Sequence, residues 1–204
     1  MILRVLKDTS LLLYFSMLRS SSLFPPWAAA ADSDRNLIWE RVQFTREGAI
    51  ISVILAKTQQ FKRCVHEVVL KEKQGSAYCP VAALRRLKNM KGRPVSPKEH
   101  VFQIPAGRSA ADPWRILVKS DFHKWFKHRI AQMSLDPEKY MIHAFRHGAV
   151  SLAISEEPNL ALVKLASDHA SEAIWAYAQV DAARRQSVSA AMLEAVHQAA
   201  TRDR

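Results

Sequence analysis

The sequence predicts an α+β fold, mostly α-helical, with one small three-stranded antiparallel sheet. Apolar residues recur at helical spacing in the segments 2–24, 80–90, 120–133, 143–154, 159–166, 171–180 and 183–200. Alternating apolar patterns bounded by turn residues occupy a single block, 37–70. The order is therefore helix, three strands, then helices, which is the order of an α+β domain rather than of a βαβ array. With 204 residues, the chain has the size of one domain that buries roughly 70% of its unfolded surface. The expectation is a single domain over 1–204, with 1–9 poorly defined and 183–204 forming a C-terminal helix or tail.

The first element has two readings. Arg4 and Lys7, the apolar run 11–18 and the alanines 28–31 imitate a secretory signal with a small-residue cleavage site. Against this, Arg19 ends the run, Pro25 and Pro26 follow it, and the run is too short to span a bilayer. Positions 11, 12, 15, 18 and 23 fit one buried helix face equally well, so a helix over 2–24 is expected. A nuclear or cytoplasmic protein is favoured over a secreted one, and no membrane partner is expected.

Three strands are expected at 37–44, 49–56 and 65–70, with Glu47-Gly48 as the first turn and Lys57 near the tip of the second hairpin. Cys64 and Cys79 are too few for a disulfide framework or a four-ligand zinc site, even with His66 beside the first. Both read as buried or idle thiols. Pro80 opens a helix at its first position, with Val81, Leu84, Leu87 and Lys88 at helical spacing. A Pro/Gly loop follows at 91–97, then a short extended piece at 101–104. Ser120 is placed to cap the next helix, whose apolar stripe is Phe122, Trp125, Phe126, Ile130 and Met133. Its other face carries Lys124, Lys127, His128 and Arg129, either a solvated face or one that tracks phosphates.

Charge narrows the partners. Thirty Lys+Arg against nineteen Asp+Glu give a net charge of +11, which points to a polyanion, nucleic acid before an anionic membrane surface. The stretch most able to hold a phosphate is His143-Ala-Phe-Arg146-His147-Gly148, where His143 and His147 share a helix face and Arg146 lies beside His143. Arg146-His147-Gly148 spells the triplet of the histidine phosphatases, but there it follows the first strand with most of the domain after it. Here it lies near the C-terminal end, so that reading is set aside.

Read as His-x-x-Arg, the same stretch joins an ordered set. Arg19 lies in Met-Leu-Arg-Ser-Ser-Ser, Lys57 in Ala-Lys-Thr-Gln-Gln-Phe, and His169 stands eight residues before Tyr177. This order of Arg, hairpin Lys, His-x-x-Arg, His and Tyr resembles the catalytic domain of the tyrosine recombinase (phage integrase) family. Lys-Thr-Gln-Gln-Phe, Tyr78-Cys-Pro-Val-Ala-Ala-Leu84 and His-Ala-Phe-Arg look like the variants of eukaryotic mobile elements. Ser22 stands where many members carry an acidic residue, and Ser167-Asp168 where a Gly commonly precedes the second His.

The resemblance implies site-specific DNA breakage and rejoining. Tyr177 would attack phosphorus and form a 3′-phosphotyrosyl bond; Arg19 and Arg146 would hold the non-bridging oxygens in the bidentate manner of guanidinium groups. Lys57 would protonate the leaving 5′-oxygen, His143 would assist proton transfer near Tyr177, and His169 would donate to a non-bridging oxygen. His147 is expected to support the pocket or touch a phosphate, and Phe145 and Trp175 to pack in the core. No cofactor and no metal is required. The implied partners are double-stranded DNA and three further copies, as a tetramer on DNA, with the tail 183–200 a candidate for docking on a neighbouring copy. The family's N-terminal DNA-clamping domain is expected to be absent. A catalytically silent DNA-binding remnant of a mobile-element recombinase is the alternative.

Overall fold

The computed structural model describes residues 1–31, 36–54, 65–107, 112–156 and 159–167. Lys57, Cys64, His169, Trp175, Tyr177 and the expected helices 171–180 and 183–200 lie outside the described residues.

α1 (Ile2–Ser16) buries Val5, Leu6, Thr9, Leu12 and Leu13 on one face. This differs from the expected face, because Phe15 is exposed and Leu11 only half-buried. The helix also stops earlier than expected. Met17 takes the left-handed conformation at φ 52°, its N–H donating to the Tyr14 carbonyl at 3.1 Å, and Ser16 Oγ accepts from the Leu18 N–H at 3.4 Å. A short second helix, α2 (Ser20–Leu23), follows, and Arg19 is its extended N-cap residue. The single helix expected over 2–24 is thus two helices with a break at 17–19. The apolar run 11–18 is used as core, with Leu12, Leu13 and Leu18 each at 1% exposure.

The sheet is an antiparallel meander of β1 (Val42–Phe44), β2 (Gly48–Ile54) and β3 (Val65–Lys71), in that spatial order. Register pairs Phe44 with Ala49, Ile51 with Val68 and Ala49 with Leu70, which brings Ala49, Ile51, Val53, Val68 and Leu70 onto the buried face. Gly48 is required by close approach: a Cβ there would stand 1.9 Å from the Leu70 carbonyl oxygen. The first strand is shorter than expected. Trp39–Arg41 form a 3-10 turn, and Leu37 and Ile38 pair instead with the loop at 99–101, through Trp39 N–H to the Glu99 carbonyl and Val101 N–H to the Leu37 carbonyl, both at 3.0 Å.

α3 (Pro80–Asn89) packs on α1 and on β3. Its start is held by Cys79, a buried thiol whose Sγ accepts from the N–H groups of Ala82 and Lys73, each at 3.4 Å. A bidentate ion pair from Arg86 to the buried Asp8 carboxylate, 2.6 Å at its shortest, fastens α3 to α1. A second hairpin, not expected from the sequence beyond one extended piece, pairs β4 (Gln103–Pro105) with β5 (Trp114–Ile116).

α4 (Lys119–Gln132) starts one residue before the expected cap: Val118 is the N-cap residue and Ser120 lies inside the first turn, so no side chain caps it. Instead the Lys119 N–H donates to the Pro25 carbonyl at 3.0 Å, which ties the start of α4 to the end of α2. α5 (His143–Glu156) and α6 (Leu160–Ala166) complete the described fold, with Asn159 capping α6 through the Ala161 N–H at 3.1 Å.

One aromatic chain sets where α2, α4 and α5 meet. Phe24, just past α2, stacks on Phe122 of α4 at 5.2 Å, and Phe122 and Phe126 contact Phe145 of α5 at 6.0 and 5.1 Å. Phe24 and Phe122 are almost fully buried, and Phe145 packs against the same core, as expected. Large buried rings with offset or tilted contacts fix these helix starts against one another more tightly than propensity alone would.

Candidate functional site

The break after α1 is built from both sides. Left-handed backbone at a non-glycine residue costs about 1–2 kcal/mol, so Met17 needs compensation. It comes from α5: Arg146, 2% exposed, donates from Nη1 to the Met17 carbonyl at 2.5 Å. The Met17 side chain packs with Val150 and Val163 of α5 and α6. Arg146 therefore fixes the peptide two residues before Arg19, and the two arginines of the sequence motif are coupled through one backbone segment.

Beside this segment, the starts of α2, α4 and α5 enclose a hollow of about 230 Å³. It is lined by Arg19, Ser20 and Ser21 from the first, Lys119 and His123 from the second, and Met141, Ile142 and His143 from the third. Ile142 is buried and pins the last turn before α5, so that His143 opens the helix at the pocket edge. Among the described residues no Asp or Glu lines this hollow. The concentration of cations is felt by His143, whose pKa is lowered from 6.5, first by partial desolvation and then by Arg146, His147, Arg19 and Lys119.

Of the residues expected from sequence, the structure thus brings together Arg19, His143 and Arg146, with His147 exposed nearby. Lys57, His169 and Tyr177 lie outside the described residues. Lys119 and His123 were missed. They are four residues apart and share a face of α4, but only the tie to Pro25 reveals which face fronts the pocket. The basic face expected from Lys124, Lys127, His128 and Arg129 is partly consumed internally. Lys127 donates to the Pro137 carbonyl at 2.5 Å and lies 3.3 Å from Glu138, and Arg129 donates to Gln132 at 2.6 Å.

Chemically, a concave cluster of guanidinium, ammonium and imidazole groups, with no carboxylate among its described lining residues, can bind an oxyanion, and its serine hydroxyls add further donors. Among the described residues no group of three His, Cys, Asp or Glu side chains is arranged to hold a metal ion. A larger hollow of about 520 Å³ lies between α1 and α3, but two of its arginines, Arg85 and Arg86, are paired with Glu72 and Asp8. Two of its three arginine charges are thus compensated, which makes it the weaker anion site.

This architecture, a mostly helical domain with a three-stranded antiparallel sheet, is the fold of the tyrosine recombinases. Solved structures with it include the XerH site-specific recombinase bound to its difH substrate, at 18% identity and a TM-score of 0.59, over 93% of this chain and 48% of that one. XerA recombinase matches at 14% identity and a TM-score of 0.57, over 94% and 62%. The Tn1549 transposon integrase in complex with circular intermediate DNA matches at 17% and 0.53, over 91% and 57%. The chain spans about half to three-fifths of the length of these neighbours. No protein-family model matches the sequence, and no curated protein does. The narrower likeness to eukaryotic mobile-element variants gains no support from these neighbours.

Proposed function

We propose that the protein is a DNA strand-transfer enzyme, a tyrosine recombinase that breaks and rejoins duplex DNA through Tyr177. The observation that carries this reading is the basic pocket formed by Arg19 and His143 and backed by buried Arg146, in a fold that DNA-bound recombinases share.

In this reading the Tyr177 hydroxyl attacks the scissile phosphorus. A bond from its oxygen to phosphorus forms, the bond to the 5′-oxygen breaks, and Lys57 supplies the proton that makes the 5′-hydroxyl. The tyrosine proton passes to His143, whose pKa is lowered first by burial and then by its cationic neighbours, so that it is neutral and able to accept it. Arg19 binds one non-bridging oxygen of the phosphorane. Arg146 serves the other; a guanidinium has five N–H donors, so one can hold the Met17 carbonyl and a phosphate oxygen together. His169 donates to a non-bridging oxygen. Rejoining runs the same steps backwards, with the phosphotyrosine as the electrophile and bond energy conserved. A tetramer on DNA brings four such sites together for exchange.

The test is a nicked duplex that traps the covalent intermediate. A protein–DNA adduct resistant to denaturant is expected, and Tyr177→Phe is expected to abolish it while leaving duplex binding intact. Salt-sensitive binding with no adduct on a library of nicked duplexes would instead assign a silent DNA-binding remnant.

A further inference from the structure

We propose that Lys119 and His123, on the first turn and a half of α4, are additional DNA-phosphate ligands that extend the Arg19 pocket to the phosphate next to the scissile one. This rests on the DNA-binding half of the function proposed above.

Both side chains line the same hollow as Arg19 and His143, and both come from a helix whose start is fixed to the end of α2 by the Lys119–Pro25 backbone bond. Four residues of helix separate them by about 6 Å along α4. The pocket wall is therefore longer than one phosphate needs. Of the α4 cations outside the pocket, Lys127 is committed to Pro137 and Glu138 and Arg129 to Gln132, while Lys124 is exposed. The nearest acid on the helix, Asp121, is paired with Arg115 at 2.5 Å, so it does not compensate Lys119. Lys119 already acts on His143 electrostatically, which places its charge within reach of that imidazole. An ammonium and an imidazole facing a cavity with no Asp or Glu among its described lining residues, on a scaffold held by the Phe24–Phe122 stack, are arranged to receive an anion rather than to solvate a surface.

Measurement of duplex binding against salt separates this from diffuse attraction. Each phosphate-neutralising cation adds about one to the steepness of log affinity against log salt. Lys119→Gln is expected to reduce that slope by about one on a mixed-sequence duplex. His123→Gln is expected to weaken binding of the same duplex, through the lost phosphate contact. Arg4→Gln, at the opposite end of α1, is expected to leave the slope unchanged. Inorganic phosphate added to the protein is expected to shift the His123 and His143 imidazole resonances together, and at about tenfold higher concentration in Lys119→Gln.

A wild-type slope in the Lys119→Gln, His123→Gln double variant would overturn the inference, as would an equal loss in Arg4→Gln. Either result, with the Tyr177 adduct still formed, leaves the recombinase reading standing. Failure of the unchanged protein to bind any duplex removes both. Lys119 is exposed and His123 half-buried, and neither makes a side-chain hydrogen bond or ion pair among the described residues, so unfolding curves matching wild type are expected.

Discussion

Arg146 carries two duties that can be separated by substitution. Its guanidinium closes the α1 break through the Met17 carbonyl, and its charge acts on the phosphate pocket. Arg146→Ala leaves that carbonyl without its partner, which costs about 1–3 kcal/mol for a buried acceptor. It is expected to lower the unfolding midpoint and to abolish the adduct. Arg146→Lys keeps the charge but loses the planar fork, so it is expected to retain duplex binding while slowing adduct formation about 10²-fold or more. Equal rates for the lysine variant and wild type would show that only charge matters there. His143 gives a second reading at this scale. In the DNA-free protein its imidazole is expected to titrate below 6.5 by NMR, and to move upward when phosphate or duplex neutralises Arg19 and Lys119. The sign for stability follows: the unfolded chain takes up a proton near 6.5 that the folded pocket resists. This group's contribution is therefore full above 6.5 and is lost as pH falls through its lower folded value. A midpoint above 6.5 in the free protein would contradict the cationic pocket.

Elements were legible where one local pattern decided them. α3 is anchored by Pro80 and ends within a residue of its expected limit, and β2 and β3 follow their alternation. The Gly48 turn has a cause the sequence only hints at. Any side chain there meets the Leu70 backbone, and backbone cannot step aside as a flexible side chain can. Gly48→Ala is expected to destabilise the protein by more than the few tenths of a kcal/mol typical of surface changes, seen as an earlier denaturant midpoint. Other elements depended on partners distant in sequence. The break in the first helix has no Gly or Pro to announce it, because Met17 is held by an arginine 129 residues away. Residues 37–38 alternate like a strand but pair with the loop at 99–101, and β5 lacks the length for a periodic signal. The site divides in the same way. Arg19, His143 and Arg146 stood out in the sequence through the order of their motifs, whereas Lys119 and His123 are brought to the same hollow only through the docking of α4.

At the scale of the whole molecule, the distribution of charge says more than its sum of +11. The ion pairs Arg86–Asp8, Arg85–Glu72, Arg93–Glu99, Arg115–Asp121 and Lys127–Glu138 join residues none of which lines the pocket of Arg19, Lys119, His123 and His143. Carboxylates thus offset cations on the α1–α3 side, on the 91–99 loop and along α4, whereas the described lining of the hollow where three helix starts converge holds basic side chains and no Asp or Glu. A polyanion approaching such a surface is steered toward the pocket, and its capture releases counterions. Engagement of only two phosphates, the scissile one by Arg19 and Arg146 and its neighbour by Lys119, gives a slope of about −1.8 in log affinity against log salt. Duplex binding is then expected to weaken about 12-fold between 50 and 200 mM salt, measured by fluorescence anisotropy on a mixed-sequence duplex. Contacts by His123 or by residues beyond the pocket make the slope steeper. A slope near zero would mean that binding does not run through phosphates at all. Anionic vesicles offer the second polyanionic surface that the composition admits. A concave pocket about the size of one or two phosphate groups favours a strand that enters it over a flat bilayer that cannot, so an excess of duplex is expected to displace the protein from vesicles. The reverse displacement would locate the function at a membrane surface instead.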